Sequence, residues 1–157
     1  MAEDDGRGRA GIRLVSGGSV SDMGVDVGIG VLGDGAHEMV PGSAVHARSV
    51  PLAVAHEPVE GWQLVSGDPT IAALELGTFA GTEFGLWEMA TGSMVDVEVD
   101  EVFLVISGSA TVEFLEPELP SIELVAGSIV RLGEGMRTRW TVTGAPLRKV
   151  YLVQRAV

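Results

Sequence analysis

Few residues in this sequence are good candidates for catalysis, and two remain after exclusion: the carboxylate of Glu101 and the amine of Lys149. The 157-residue chain has no cysteine, which excludes disulfides, thiolate nucleophiles and thiolate metal ligands. The GxSxG motif is absent, and His37, His46 and His56 all lie before the predicted strand-rich region, so a serine hydrolase is disfavoured. The remaining candidates for catalysis are Glu101, which opens a predicted strand, and Lys149, the only lysine.

Glu101 allows two interpretations, and the sequence leaves both open. In a pocket lined by Trp87, Phe103 and Trp140, desolvation would raise the pKa of the Glu101 carboxyl and let it act as a general acid or base near neutral pH. Alternatively, Glu101 is a structural residue that pairs with Lys149 or with an arginine.

Lys149 is open to the same division. It could be the positive anchor for a ligand carboxylate or ureido group, with Tyr151 two residues on along the same strand face. It could instead form a salt bridge in the wall of the domain. Trp87 and Trp140 could stack against a ligand or could be core residues whose N–H groups are satisfied within the protein.

The elements that must position these residues are predicted to be short strands. Runs of β-branched and aromatic residues follow one another after Trp62 and are separated by glycine-rich turns, which favours an all-β sandwich or barrel. A hairpin turn is predicted at Ser107–Ser109. The predicted strands are Ile71–Leu76, Phe84–Met89, Met94–Val99, Val102–Ile106, Ala110–Phe114, Ile122–Val125, Ile129–Leu132, Arg137–Val142 and Leu147–Val153.

The amino-acid composition changes near residue 56. Residues 1–56 are rich in glycine and small apolar residues, and we expect a partly ordered N-terminal arm with one strand near Val25–Leu32. Residues 57–157 are expected to form the barrel domain. The net charge of −12 disfavours nucleic acids and anionic membranes as partners. No signal sequence or membrane-length apolar run is evident, so a cytoplasmic location is expected.

Two short motifs stand out after residue 100: Glu101 and Gly108 with six residues between them, and Gly127 and Gly133-Glu134-Gly135 with five between them. Together with several further segments they resemble the small single-domain cupins related to ureidoglycine aminohydrolase and to the ethanolamine-utilisation cupin. Glu101 followed after six residues by Gly108 resembles the end of the first cupin motif, and Gly127 followed by Gly133-Glu134-Gly135 resembles the start of the second. Further similarities are the segments SGDP, GLWE, DEVFLVISG, TRWTV and RKVYLV. The resemblance implies a jelly-roll barrel, the double-stranded β-helix, with a ligand pocket in its mouth.

The resemblance also implies a divalent metal held by three histidines and one glutamate, and here the sequence departs from it. Only Glu101 remains of the four ligand positions. The paired histidine positions hold Val95 and Val97 or, in the other register, Met94 and Asp96, and the third would fall at Thr138. Because such metals need several converging donors, we expect neither the family metal nor another cofactor.

We therefore expect a cupin-domain protein that binds a small polar metabolite in the barrel mouth. The alternative is an enzyme resembling ureidoglycine aminohydrolase, a C–N hydrolase or a lyase or isomerase, acting on a small ureido or amino-acid-like substrate through Glu101 and Lys149. Whether the protein is an enzyme stays open. Homodimers are expected, because small cupins commonly pair sheets or exchange N-terminal strands. The expected ligand-binding residues are Trp87, Asp96, Phe103, Thr138, Trp140 and Tyr151.

Overall fold

The computed structural model describes residues 38–52 and 56–154, and the regular elements of these residues are all strands. The all-β prediction is therefore confirmed. The strands are β1 (Glu57–Pro58), β2 (Leu64–Ser66), β3 (Thr70–Phe79), β4 (Thr82–Met89), β5 (Gly92–Val97), β6 (Glu101–Glu116), β7 (Glu118–Leu124), β8 (Ile129–Leu132) and β9 (Arg137–Gln154).

The strands form one curled antiparallel sheet that is organised around β9. One edge of β9 pairs with β5 along Arg137–Val142 and with β4 along Leu147–Gln154. The other edge pairs with β6, which also carries β7 and β8. Strand β3 extends the sheet beyond β4. Two long strands therefore run through the whole domain, and the segment Leu147–Val153 is paired on both edges, with β4 and with β6.

The predicted hairpin at Ser107–Ser109 is wrong, because β6 continues through this segment as one strand. Gly108 does take the positive φ that a turn would need, at 80°. It uses that freedom for a bulge, since the register against β9 shifts on either side of it while both halves of β6 stay paired with β9. A Cβ at Gly108 would lie 2.2 Å from the carbonyl oxygen of Pro146, so glycine is needed for the close approach of the two strands.

The predicted separation of Arg137–Val142 from Leu147–Val153 is wrong as well, because Arg137–Gln154 is one strand. Its residue Gly144 pairs with Ser109 in the part of β6 where the register shifts. Two long strands with irregular pairing therefore resemble, in sequence, four short strands with turns between them.

Strand alternation divides the apolar side chains between two clusters. Inward-facing residues, among them Trp87, Phe103, Trp140 and Tyr151, form the main core. On the outer face of β3 and β4 a second cluster contains Leu74, Leu76 and Leu86. This outer cluster is covered by side chains of the segment 38–52, namely Met39, Val45, Ala47, Val50 and Leu52.

The described part of the predicted arm lies against the sheet without adding a strand to it. Residues 38–52 contain turns and irregular backbone. The strand predicted near Val25–Leu32 and the histidine His37 lie outside the described residues. Within 38–52 and 56–154, no helix is long and apolar enough to cross a membrane. The domain boundary at 56/57, the cytoplasmic location and the homodimer stay predictions.

Candidate functional site

The two residues singled out for chemistry are in direct contact inside the curled sheet. Glu101 is the first residue of β6, and Lys149 lies on β9, so the sheet brings together positions 48 residues apart. The Lys149 Nζ lies 2.6 Å from the Glu101 Oε1, and the two side chains are only 4% and 3% exposed. Such a fully buried ion pair is costly to form from hydrated ions.

Three aromatic rings surround the ammonium of Lys149. Its Nζ lies 4.3 Å from the ring centre of Phe103 and 4.8 Å from those of Trp87 and Trp140. The Trp140 ring is tilted against both of its neighbours, with centroids 5.7 Å from Trp87 and 5.6 Å from Phe103. We call Glu101 and these three aromatic residues the Lys149 cage. It contains every aromatic side chain that the sequence proposed for the pocket walls, except Tyr151.

Glu98, which directly follows β5, accepts two hydrogen bonds next to the cage. The Thr138 hydroxyl donates to Glu98 Oε1, and the Trp140 indole N–H donates to the same oxygen at 2.9 Å. Burial raises the pKa of the Glu98 carboxyl, while the positive charge of Lys149 and the two hydrogen bonds lower it. Thr138 and Trp140 were expected to touch a ligand, and here they hold a buried acid.

Asp96 extends this acidic group towards solvent. The backbone N–H of Val97 donates to Asp96 Oδ1 at 2.9 Å, and the Gln63 amide donates to it at 3.3 Å. Burial, followed by the nearby charge of Glu98, raises the pKa of the Asp96 carboxyl to about 8. Asp96 is nevertheless partly exposed, so it is the member of the cluster that solvent or a small molecule can reach.

Tyr151 has a polar partner of its own. Its side chain is buried on the same face of β9 as Lys149, as the alternation predicts. The hydroxyl lies 3.2 Å from Glu83 Oε1 and donates to it. Burial and the charge of Glu83 raise the pKa of the Tyr151 hydroxyl. The structure thus places Tyr151 in the same core as the Lys149 cage but commits its hydroxyl to Glu83.

On the outer face, Arg148 fastens the segment 38–52 to the sheet. Its guanidinium donates to Glu88 Oε2 at 2.7 Å and to three carbonyl oxygens of the segment, of which that of Val50 is nearest at 2.8 Å. Glu88 also bonds His56 Nε2 at 2.7 Å. His56, an exposed residue just before β1, is therefore hydrogen-bonded to the outer face of the sheet through Thr70 and Glu88.

The residues at the family's metal positions do not fit a divalent ion. Glu101 Oε1 already bonds the ammonium of Lys149, and the Thr138 hydroxyl donates to Glu98. Within the part of the chain that the structure describes, no group of three or more His, Cys, Asp or Glu residues is arranged to hold a metal. A cation entering here would also meet the positive charge of Lys149.

Two members of the site, Glu98 and Gln63, were not among the sequence candidates. A signal for Glu98 exists in the alternation of β5, because Met94, Asp96 and Glu98 share one side and Met94 and Glu98 are buried. Gln63 gives no comparable signal. It lies outside any strand and reaches Asp96 because β2 pairs with β5.

Comparison with known families gives one match: residues 77–151 match the family model of the EutQ-like cupin domain. Comparison with curated proteins gives no match. Among solved structures, the chain is similar to EutQ of Clostridium difficile, with 18% identity and a TM-score of 0.49 over 64% of this chain and 81% of that one.

Two other solved structures are similar at the same level. A protein from Neisseria meningitidis is 15% identical with a TM-score of 0.50, over 72% of this chain and 100% of that one. A cupin-2 domain containing protein from Shewanella frigidimarina is 18% identical with a TM-score of 0.45, over 54% of this chain and 80% of that one. At these identities the likeness concerns the fold alone.

Proposed function

We propose that residues 77–151, which match the family model of the EutQ-like cupin domain, form a cupin barrel that binds a small polar molecule in its interior. The ligand would lie beside the Lys149 cage and would contact Asp96 and Glu98. No resident metal takes part. Where the resembled metal-binding cupins have histidines, the interior of this chain has carboxyl groups, a hydroxyl and one ammonium.

The observation that supports this proposal is an unbalanced set of buried ionisable groups. Glu101 and Lys149 neutralise each other, but Asp96 and Glu98 add two further acids to the same interior, and both have raised pKa values. Asp96 and Glu98 would not be favoured if these positions served only the stability of the sheet, because burying acids costs free energy. Ionisable groups with perturbed pKa values cluster at functional sites.

The polar groups of the site favour a ligand that carries both donors and acceptors. A carboxylate accepts from N–H and O–H groups, and a protonated carboxyl also donates. Asp96, with a pKa of about 8, is available in the protonated form at neutral pH. Amides, ureides and amino-acid-like molecules present such paired groups.

The test is a binding screen of small amides, ureides, amino acids and amines against the purified protein, followed by calorimetry. We expect Glu98→Gln and Asp96→Asn to weaken binding of a hit by about ten-fold or more, since each replaces a carboxyl oxygen, which can accept a hydrogen bond, with an NH2 group, which can only donate. Arg139→Gln is the matched control, because Arg139 pairs with Glu113 on the outer face. A ligand that binds equally well to all three variants, or a screen in which no member of these classes binds, would contradict the proposal.

A second candidate is an enzyme of the kind that ureidoglycine aminohydrolase represents, and the pKa of Asp96 favours it. A group with a pKa of about 8 can give or take a proton near neutral pH, as general acid–base catalysis requires. The same three variants serve as the test: turnover of ureido or amino-acid-like substrates should follow a titration near pH 8 that disappears in Asp96→Asn. Turnover by the wild type with an unaltered pH profile in Asp96→Asn would exclude Asp96 from this role.

A further inference from the structure

We propose that the ammonium of Lys149 is the built-in cation of this barrel and replaces the metal ion of the resembled family. The position that supplies the family's glutamate ligand is Glu101, and its Oε1 lies 2.6 Å from Lys149 Nζ. The cation is thus covalently part of β9, and the barrel needs no metal from solution. This inference does not rest on the proposed ligand binding.

The surroundings of Lys149 are those of a cation site and not of a surface lysine. Lysine side chains usually extend so that the ammonium reaches water, but the Lys149 side chain is 4% exposed. The faces of Trp87, Phe103 and Trp140 lie within 4.8 Å of its Nζ. Aromatic faces attract cations, and cages of this kind recognise ammonium groups in ligands.

The charge of Lys149 also acts on the acids around it, as a bound metal ion would. Glu101 is in direct contact with it, and the carboxyl groups of Glu98 and Asp96 lie near enough to interact with its charge. A neutral residue at position 149 would leave Glu101 buried without a countercharge, which is among the most destabilising changes in protein interiors.

The decisive experiment removes the lysine side chain and returns its missing fragment from solution. Lys149→Ala lacks the atoms of one n-propylammonium ion. We expect Lys149→Ala to melt about 10–20 °C below the wild type and to regain part of this loss in n-propylammonium chloride. Sodium chloride at equal ionic strength and n-propanol at equal concentration should not restore it. Wild type and Arg139→Ala should show no specific response to the amine.

The outcomes separate the alternatives. Equal effects of n-propylammonium and sodium on Lys149→Ala would overturn the proposal, and so would stabilisation of the wild type by Mn²⁺ or Zn²⁺. If Lys149→Ala does not fold, Lys149→Met provides a second test. This variant should lose stability, and adding Glu101→Gln should recover much of the loss. A Lys149→Met variant as stable as the wild type would overturn the proposal equally.

Discussion

Replacing Asp96 with asparagine should make the protein more stable, not less, above neutral pH. Asparagine keeps the size of the side chain and an oxygen that can accept from the Val97 N–H and from Gln63. It removes an acid whose ionisation is opposed by burial and by the charge of Glu98. The variant therefore tests directly whether the barrel interior disfavours a second negative charge.

The sign follows from where the proton is held. The pKa of Asp96 rises from 3.8 to about 8 in the folded protein, so between these values the folded state keeps a proton that the unfolded state has lost. The contribution of Asp96 to the free energy of unfolding is therefore fully present below pH 3.8 and is lost as the pH rises towards 8. The full difference corresponds to at most about 6 kcal/mol. Because the side chain is partly exposed, we expect about 1–3 kcal/mol for Asp96→Asn at pH 8.

The assay is urea denaturation followed by circular dichroism at several pH values between 4 and 9. The gain of Asp96→Asn over the wild type should be near zero at pH 4 and should grow up to pH 8. Asp100→Asn is the matched control with the opposite sign, because a hydrogen bond from Arg131 lowers the pKa of the exposed Asp100. A gain that does not change with pH, or a loss of stability at pH 8, would refute the reasoning.

Two further predictions concern the backbone bulge and the outer face. Gly108→Ala should lower the free energy of unfolding measured by urea denaturation by about 2–4 kcal/mol, because its Cβ would meet Pro146 and the φ is positive. Gly127→Ala is the control, with a positive φ but open space around the Cβ, and should lower it by about 1 kcal/mol. Equal losses of stability in the two variants would argue against the steric explanation. Arg148→Lys should make the segment 38–52 more sensitive to limited proteolysis, since lysine cannot reproduce the guanidinium fork; Arg131→Lys, an exposed control, should leave the cleavage pattern unchanged.

Local sequence patterns predict many of the strands and several residues of the candidate site. Alternation in Leu147–Val153 predicted a strand with Lys149 and Tyr151 on one face, and the structure has both buried there. The sequence leaves open whether Glu101 pairs with Lys149, and the structure shows that pair. Trp87 and Phe103 were proposed beside Glu101 on the resemblance alone, and they lie around its partner ammonium.

What could not be predicted depends on contacts between distant strands. A glycine with positive φ is equally compatible with a hairpin and with a bulge, and only the pairing of β6 with β9 decides for the bulge at Gly108. Gln63 joins the site because β2 pairs with β5. Raised pKa values likewise depend on burial and on neighbouring charges, which local sequence does not give, and the structure has two such acids in Asp96 and Glu98.

The two indole rings of the Lys149 cage give the barrel interior an optical signal of its own. The chain has three tryptophans: Trp87 and Trp140 touch the ammonium, and Trp62 is 50% exposed. Dissolved acrylamide would therefore quench Trp62 selectively and leave an emission that comes from the interior alone. Events at the centre of the domain can then be followed by fluorescence without attaching a label.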